Sequence, residues 1–447
     1  MSVTNWSAPC PPLIVFRDVR AIDPHRGIDA SVDVVIEDGV ISRIDAQAAS
    51  ESMLAAEGAH VVNGEGKWLV PGFVDLRAHL REPGKEYKED IASGLRAAAA
   101  GGYAHICAMP DTDPVNDCRS VTESIVARAR SLGGPTLHPI GAITLGRHGE
   151  ELTEMADLRD AGVVGVSDGN RSVRSSAVMR RALEYARNFD LPVMHHAEDH
   201  GLTAGAQMHE GAMSTVLGLR GAPRVAEDII VARDLMLTEA TGARYHLAHV
   251  STEGAVRLLR DAKARGISVT AEVTAHHLML THDSLADYDT AYKVVPPLRE
   301  QRDVEAVRSA LADGTIDAIV SDHAPQSSIE KDCEFQAASP GAIGLELVVP
   351  VLLRLVDDGS LPLARFIGAL TRGPAGVIGL DTPTLETGRG AELCLIDPQM
   401  EHTIDRSTLA SKCHNSPFVG KSYRGAVVMT IARGRIVYAR DAGSENA

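Results

Sequence analysis

The sequence predicts an α/β protein built around a (β/α)8 barrel, and three observations carry that expectation. Short β-branched or apolar runs alternate with longer amphipathic stretches through the middle of the chain, which is the pattern of βα units. Eight such runs fall between about residues 70 and 375, ending near Arg77, Ala108, Gly141, Ser167, His196, His249, Val273 and Asp322. The polar residues capable of chemistry gather at those ends, which in such a barrel share one rim. Structural polar residues have no reason to collect there.

The helical stretches follow the strands in order: 119–131, 176–188, 226–240 and 253–265. Outside this repeat, residues 13–68 read as short strands and turns, with Val34-Val35-Ile36-Glu37-Asp38-Gly39 carrying a hairpin signal. Residues 388–440 read the same way through Ala391–Pro398 and Asn415-Ser416-Pro417-Phe418. The expected organisation is therefore a barrel over 69–387, with 13–68 and 388–440 pairing as the two parts of a small composite β-sandwich.

Composition bounds the function. A chain of 447 residues with 44% apolar content can bury a large core. The formal charge of −16 disfavours nucleic acid and anionic membranes as partners, leaving room only for a local basic pocket such as one around Arg77 and Arg81. Cys10, Cys107, Cys118, Cys333, Cys394 and Cys413 show neither zinc-finger spacing nor a dense disulfide framework, which fits a reducing cytoplasm. Met1–Pro12 lacks the basic start and apolar core of a secretory signal, and no run approaches eighteen apolar residues, so no membrane span is expected.

The sharpest motif is Val74-Asp75-Leu76-Arg77-Ala78-His79-Leu80-Arg81-Glu82-Pro83-Gly84. It resembles the signature of dihydroorotases, cyclic amide hydrolases of the amidohydrolase superfamily, in which a strand ends Asp-x-His-x-His-x-Arg-Glu-Pro-Gly. The first histidine of that pattern is here Arg77. Histidines at i and i+2 face the same side of a strand and can share one metal ion. A guanidinium has no lone pair to give and repels the cation. The resemblance continues through Met194-His195-His196-Ala197-Glu198-Asp199, His246-Leu247-Ala248-His249 and Ser321-Asp322-His323-Ala324-Pro325, and so covers nearly the whole chain. It implies His79, His196, His249 and Asp322 as metal ligands and Asp322 as the carboxylate that shuttles a proton. It also implies Arg81 as the grip on a substrate carboxylate, suited to its planar fork.

Departures from the pattern are as specific. The bridging carboxylate expected after strand 4 is replaced in Ser167-Asp168-Gly169-Asn170 by Gly169, and Asp168 could serve only if the loop is bulged or shifted. In the substrate shell, Asp111 stands where the family has asparagine, placing an anion beside a dianionic substrate. Val295 replaces a pyrimidine-contacting asparagine, Gln326 a histidine, and the flap Ser339-Pro340-Gly341 has Pro340 where the family has phenylalanine.

Together these imply a dihydroorotase-family protein of pyrimidine biosynthesis, interconverting dihydroorotate and N-carbamoyl-aspartate, with catalysis impaired or lost. The accompanying role is structural, in assembly with aspartate transcarbamoylase, and a homo-oligomer is expected. The implied zinc is one ion or none, with the full two-metal site lost. Two alternatives stay open: an active dihydroorotase with an unorthodox single-zinc site, and a hydrolase of another cyclic amide. Each retained residue also has a structural reading, in which Asp322 holds Arg77, Arg81 anchors its loop, and His195, His276, His277 and His323 pack behind the pocket.

Overall fold

The computed structural model describes Trp6 and residues 10–440; Met1–Pro12, read above as no secretory signal, lies largely outside them. Eight parallel strands run Phe73–Ala78, Tyr103–Ala108, Thr136–Gly141, Gly165–Val166, Val193–His195, Tyr245–Leu247, Val269–Thr274 and Ala318–Val320, each paired to the next in sequence. Each ends within two residues of its expected terminus. The first two strands are buried at every position because helices cover the outside and side chains fill the inside.

The helices form where apolar residues recur every three to four positions. In Ser176–Arg187, Val178, Met179, Ala182, Leu183 and Ala186 make the buried stripe, and the Ser175 hydroxyl caps the start by accepting the Val178 N–H. Arg119–Leu132, Val225–Thr241 and Glu253–Ala264 occupy the other expected stretches.

The barrel nearly closes between its first and eighth strands. The His79 N–H donates to the His323 carbonyl at 2.8 Å, and Asp75 accepts from the Ser321 N–H at 2.8 Å and its hydroxyl at 2.6 Å. Burial pushes the Asp75 carboxyl up to about 7. Because the folded value is raised, the neutral acid favours the fold at low pH, and that contribution is lost as pH rises from about 4 through about 7. Asp75→Asn keeps an acceptor for the Ser321 N–H and cannot ionise. Its unfolding midpoint in urea is expected to fall less between pH 4 and 8 than that of the unsubstituted protein; parallel curves would refute the assignment.

The chain ends build a second, eight-stranded sheet from Leu13–Asp23, Ile28–Glu37, Val40–Asp45, Ala59–Asn63, Trp68–Pro71, Leu393–Thr403, Ser422–Ala432 and Arg435–Ala439. The predicted hairpin turns at Asp38 and Gly39, both with positive φ (50° and 80°). The two ends meet where Leu393–Ile396 pair antiparallel with Trp68–Pro71. Ile14, Phe16, Val34, Leu69, Leu393 and Ile431 fill one core of this sheet. All six cysteines are free, and no helix among the described residues is long and apolar enough to cross a membrane.

Candidate metal and substrate site

Arg77 lies one residue before the end of the first strand, with its side chain inside the barrel and 1% exposed. Its Nε donates to Glu272 Oε1 on the seventh strand at 2.9 Å, and the other Glu272 oxygen meets His246 Nε2 at 3.0 Å. Burial alone would raise the Glu272 carboxyl, but the His246 hydrogen bond and the Arg77 charge hold it below its ordinary value. Asp322 was expected to hold Arg77. It stands at 4.0 Å from Nε, beyond hydrogen-bond reach, and burial raises its carboxyl to about 7 against the opposing pull of Arg77. The strand-7 carboxylate is thus the principal partner.

On the loop leaving the second strand, Asp111 collects two neighbours. Its Oδ1 meets His79 Nδ1 at 2.7 Å and its Oδ2 accepts from Arg81 Nη1 at 2.5 Å. Burial would raise the Asp111 carboxyl, yet His79 and Arg81 bring it well below the usual carboxylate range. The anion expected to face a substrate is therefore spent on Arg81, whose Nε is left without a partner.

His196 and His249 follow the fifth and sixth strands with ring centroids 4.9 Å apart, edge to face. Glu198 holds His196 Nε2 at 2.7 Å, leaving Nδ1 unpartnered, and neither nitrogen of His249 has a partner. Burial, then the Arg77 charge, push the His249 imidazole well below its ordinary value, so it stays neutral. Backbone strain gathers here too: Arg81, His249 and Asp322 have φ of 64°, 33° and 43°, which side-chain-bearing residues rarely adopt and which recur at ligand sites.

After the fourth strand, Asp168 is held by the turn that follows the third strand. Its Oδ1 accepts the Ile143 and Thr144 N–H groups at 2.9 and 3.1 Å and its Oδ2 the Thr144 hydroxyl at 2.6 Å. Both its oxygens are thus taken up by the turn after the third strand. At Gly169, φ 65°, an added Cβ would lie 3.2 Å from Arg147 Nη2, so a guanidinium occupies the space next to the missing side chain.

The unpartnered buried atoms include His79 Nε2, His196 Nδ1, both His249 nitrogens, His276 Nε2 and Asp322 Oδ1. Donor atoms around one tetrahedral zinc sit roughly 3.4 Å apart. Here His79 Nε2 and His276 Nε2 lie 3.9 and 3.8 Å from the nearer Asp322 oxygens, with the Arg77 guanidinium beside the same carboxylate. Among the described residues, one group of three potential ligands converges within 4.8 Å, and it is a different one: His209, Glu300 and Asp303. Arg224 already bridges its carboxylates, at 2.5 Å to Glu300 and 2.7 Å to Asp303. Arg77 at the first histidine position and Gly169 at the bridging position each remove a ligand from the two-metal centre that the motif implies.

Gln326 and the flap meet above this pocket. Gln326 Nε2 donates to the Pro340 carbonyl at 2.8 Å while its Oε1 accepts from Lys88 Nζ at 2.8 Å. A Cβ at Gly341 would come within 2.8 Å of the Ala324 carbonyl, so only glycine lets the flap lie this close. Pro340 and Val295 line a cavity of about 220 Å³ together with Glu198 and Lys293. His323 is structural: its Nε2 meets the Glu89 carboxylate at 3.1 Å, and Glu89 also accepts from Ser93 and Ser411.

Glu272 and Arg147 were assigned no role in the sequence reading, and His276 was read only as packing behind the pocket. Glu272 carried a signal, an acidic residue inside the apolar strand Val269–Thr274. His276 lay close by in a His-His pair, and Arg147 had no signal because its loop reaches the pocket only in three dimensions.

Comparison with known proteins agrees with this architecture. Residues 66–255 match a family model described as dihydro-orotase-like. A dihydroorotase of Anaeromyxobacter dehalogenans is 50% identical over 424 residues, covering 94% of this chain and 97% of that protein. One from Syntrophobacter fumaroxidans is 48% identical over 426 residues, covering 95% and 97%. Among solved structures, the L-hydantoinase of Arthrobacter aurescens shares the fold, with a TM-score of 0.85 at 24% identity over 95% of this chain and 96% of its own. Identity of this extent across both barrel and terminal sheet places the chain in the dihydroorotase family.

Proposed function

We propose that this chain keeps the dihydroorotase scaffold while its interconversion of dihydroorotate and N-carbamoyl-aspartate is impaired or lost, and that it serves as an assembly partner of aspartate transcarbamoylase in the cytoplasm. The observation that carries the reading is Arg77, a buried guanidinium fixed on Glu272 where the family motif puts a metal-binding imidazole. Gly169, and an Asp168 spent on the neighbouring turn, support it. The scaffold around the altered pocket is retained, which fits selection on the fold and its surface.

The experiment is turnover of dihydroorotate by the purified, zinc-supplemented protein against a buffer blank. No rate above the blank is expected, and a rate of roughly 1–10³ per second would overturn the reading. Co-elution with the transcarbamoylase of the same organism in gel filtration tests the assembly role; independent elution would remove it.

One observation favours a single-zinc enzyme instead. His196 offers an unpartnered Nδ1 while Glu198 holds its far nitrogen, the carboxylate–histidine arrangement that orients zinc ligands. Stoichiometric zinc together with turnover would select that reading.

A further inference from the structure

We infer that a cavity beside the flap, between the loop after the eighth strand and the C-terminal segment, binds a small molecule carrying a phosphate group, with Lys331, Arg406 and Lys421 as its cations. The cavity has a volume of about 520 Å³ and is lined from within residues 289–292, 326–332 and 406–421, together with Tyr87. Arg77, His79, Arg81, Asp111 and Asp322 do not line it, so it is separate from the barrel pocket and independent of whether catalysis is retained there.

Lys331 is the residue that calls for an anion. It is 6% exposed and has no ion-pair partner among the described residues. Its Nζ donates to the Thr290 carbonyl at 2.8 Å and reaches the Lys293 carbonyl at 3.5 Å, both neutral, so the third N–H of the ammonium is unspent. Lys293 shows the contrast. It too lacks a carboxylate, yet it spends three N–H groups, on Gln207 Oε1 at 2.6 Å and the Phe335 and Gln336 carbonyls at 2.7 and 3.1 Å. A buried charge is costly unless it is paired, and burial followed by the Lys293 charge brings the Lys331 ammonium down to about 8.

The C-terminal segment adds two exposed cations to the same cavity. Lys421 Nζ donates to the Tyr292 hydroxyl at 3.0 Å, and Arg406 has no side-chain partner among the described residues. The short helix Thr290–Tyr292 links the two sides: its first residue takes Lys331 and its last takes Lys421. Lys412 also lines the cavity but is spent on Asp90 and the Glu86 carbonyl. The lining acids are Asp289, whose Oδ1 holds the Ala291 N–H, and Asp332. Three uncommitted cations against two carboxylates is a local reversal in a chain of formal charge −16. A carboxylate offers one charge and two oxygens, whereas a phosphate monoester offers about two charges and three acceptor oxygens, which suits donors arriving from separate segments. Gln326 and Asn415 line the cavity as well, and Asn415 holds the flap by donating to the Gly341 carbonyl at 3.0 Å while accepting the Gln326 N–H at 3.0 Å. The bound molecule would rest against the groups that fix the flap.

The test is calorimetric titration of the full chain with phenyl phosphate, and with benzoate as the carboxylate control. Phenyl phosphate is expected to bind, and benzoate to bind about tenfold more weakly or not at all. Lys331→Met keeps the apolar stem and removes the charge; it and Arg406→Gln are each expected to weaken phenyl phosphate about tenfold or more. Arg130→Gln removes an exposed arginine from a different cavity and is expected to leave affinity as it was, which separates a site from a change in net charge. No binding of phenyl phosphate, equal affinity for benzoate, binding that Lys331→Met and Arg406→Gln both leave unchanged, or an equal loss with Arg130→Gln overturns the inference. If Lys331→Met fails to fold, the exposed Arg406→Gln decides alone.

Discussion

Glu272→Ala is expected to destabilise the protein by about 3–5 kcal/mol, because it strands a buried arginine without its counter-charge. Arg77 is 1% and Glu272 0% exposed, so water cannot replace the lost partner. Asp322, at 4.0 Å, is too far to take over the hydrogen bond without movement, and His246 loses its acceptor in the same substitution. The pair itself need not add net stability, since desolvating two charges offsets most of their attraction. The double variant Arg77→Met, Glu272→Leu is therefore expected to recover most of the loss. Urea unfolding followed by circular dichroism measures both. A cost for Glu272→Ala below about 1 kcal/mol, the level of an exposed pair, would show that Arg77 is solvated or otherwise paired.

The second large effect concerns metal uptake. Restoring the motif with Arg77→His and Gly169→Asp reconstructs the i, i+2 histidines and the carboxylate that the family pattern calls for. The structure adds an obstacle: a Cβ at position 169 would lie 3.2 Å from Arg147 Nη2, so the introduced carboxylate would pair with that guanidinium before it met an ion. The backbone at φ 65° also costs a non-glycine residue roughly 1–2 kcal/mol. Glu272 loses its counter-charge in the exchange at 77 and keeps only the His246 hydrogen bond at 3.0 Å, so the variant is expected to be less stable. Adding Arg147→Ala is expected to turn a variant that takes up little zinc into one that holds it stoichiometrically after desalting, measured by elemental analysis. Equal zinc in the double and triple variants would clear Arg147 of this role. A folded triple variant without zinc would show that the remaining ligands are placed too far apart.

Both effects follow from positions that sequence reasoning located and interactions it did not. Arg77 was legible at once, because a strand of alternating residues ending in a family motif fixes which side it faces. Its partner was not, since Glu272 lies 195 positions along the chain and only closure of the barrel brings strands one and seven across a shared interior. Asp168 shows the same limit in reverse. The sequence left it one residue from a bridging position, and the decision came from the Ile143–Thr144 turn, whose N–H groups and hydroxyl claim both its oxygens.

The sequence by itself determined the family, the order of strands and helices and the residues at the strand ends, because period, turn chemistry and local motifs are properties of neighbouring residues. Tertiary structure alone decided how the charges at that rim are spent: Arg77 on Glu272, Arg81 on Asp111, and Arg147 over Gly169. The physical reason is that in a buried site the energy of a charge depends on which opposite charge and which donors lie within about 3–4 Å, a distance that chain separation does not report.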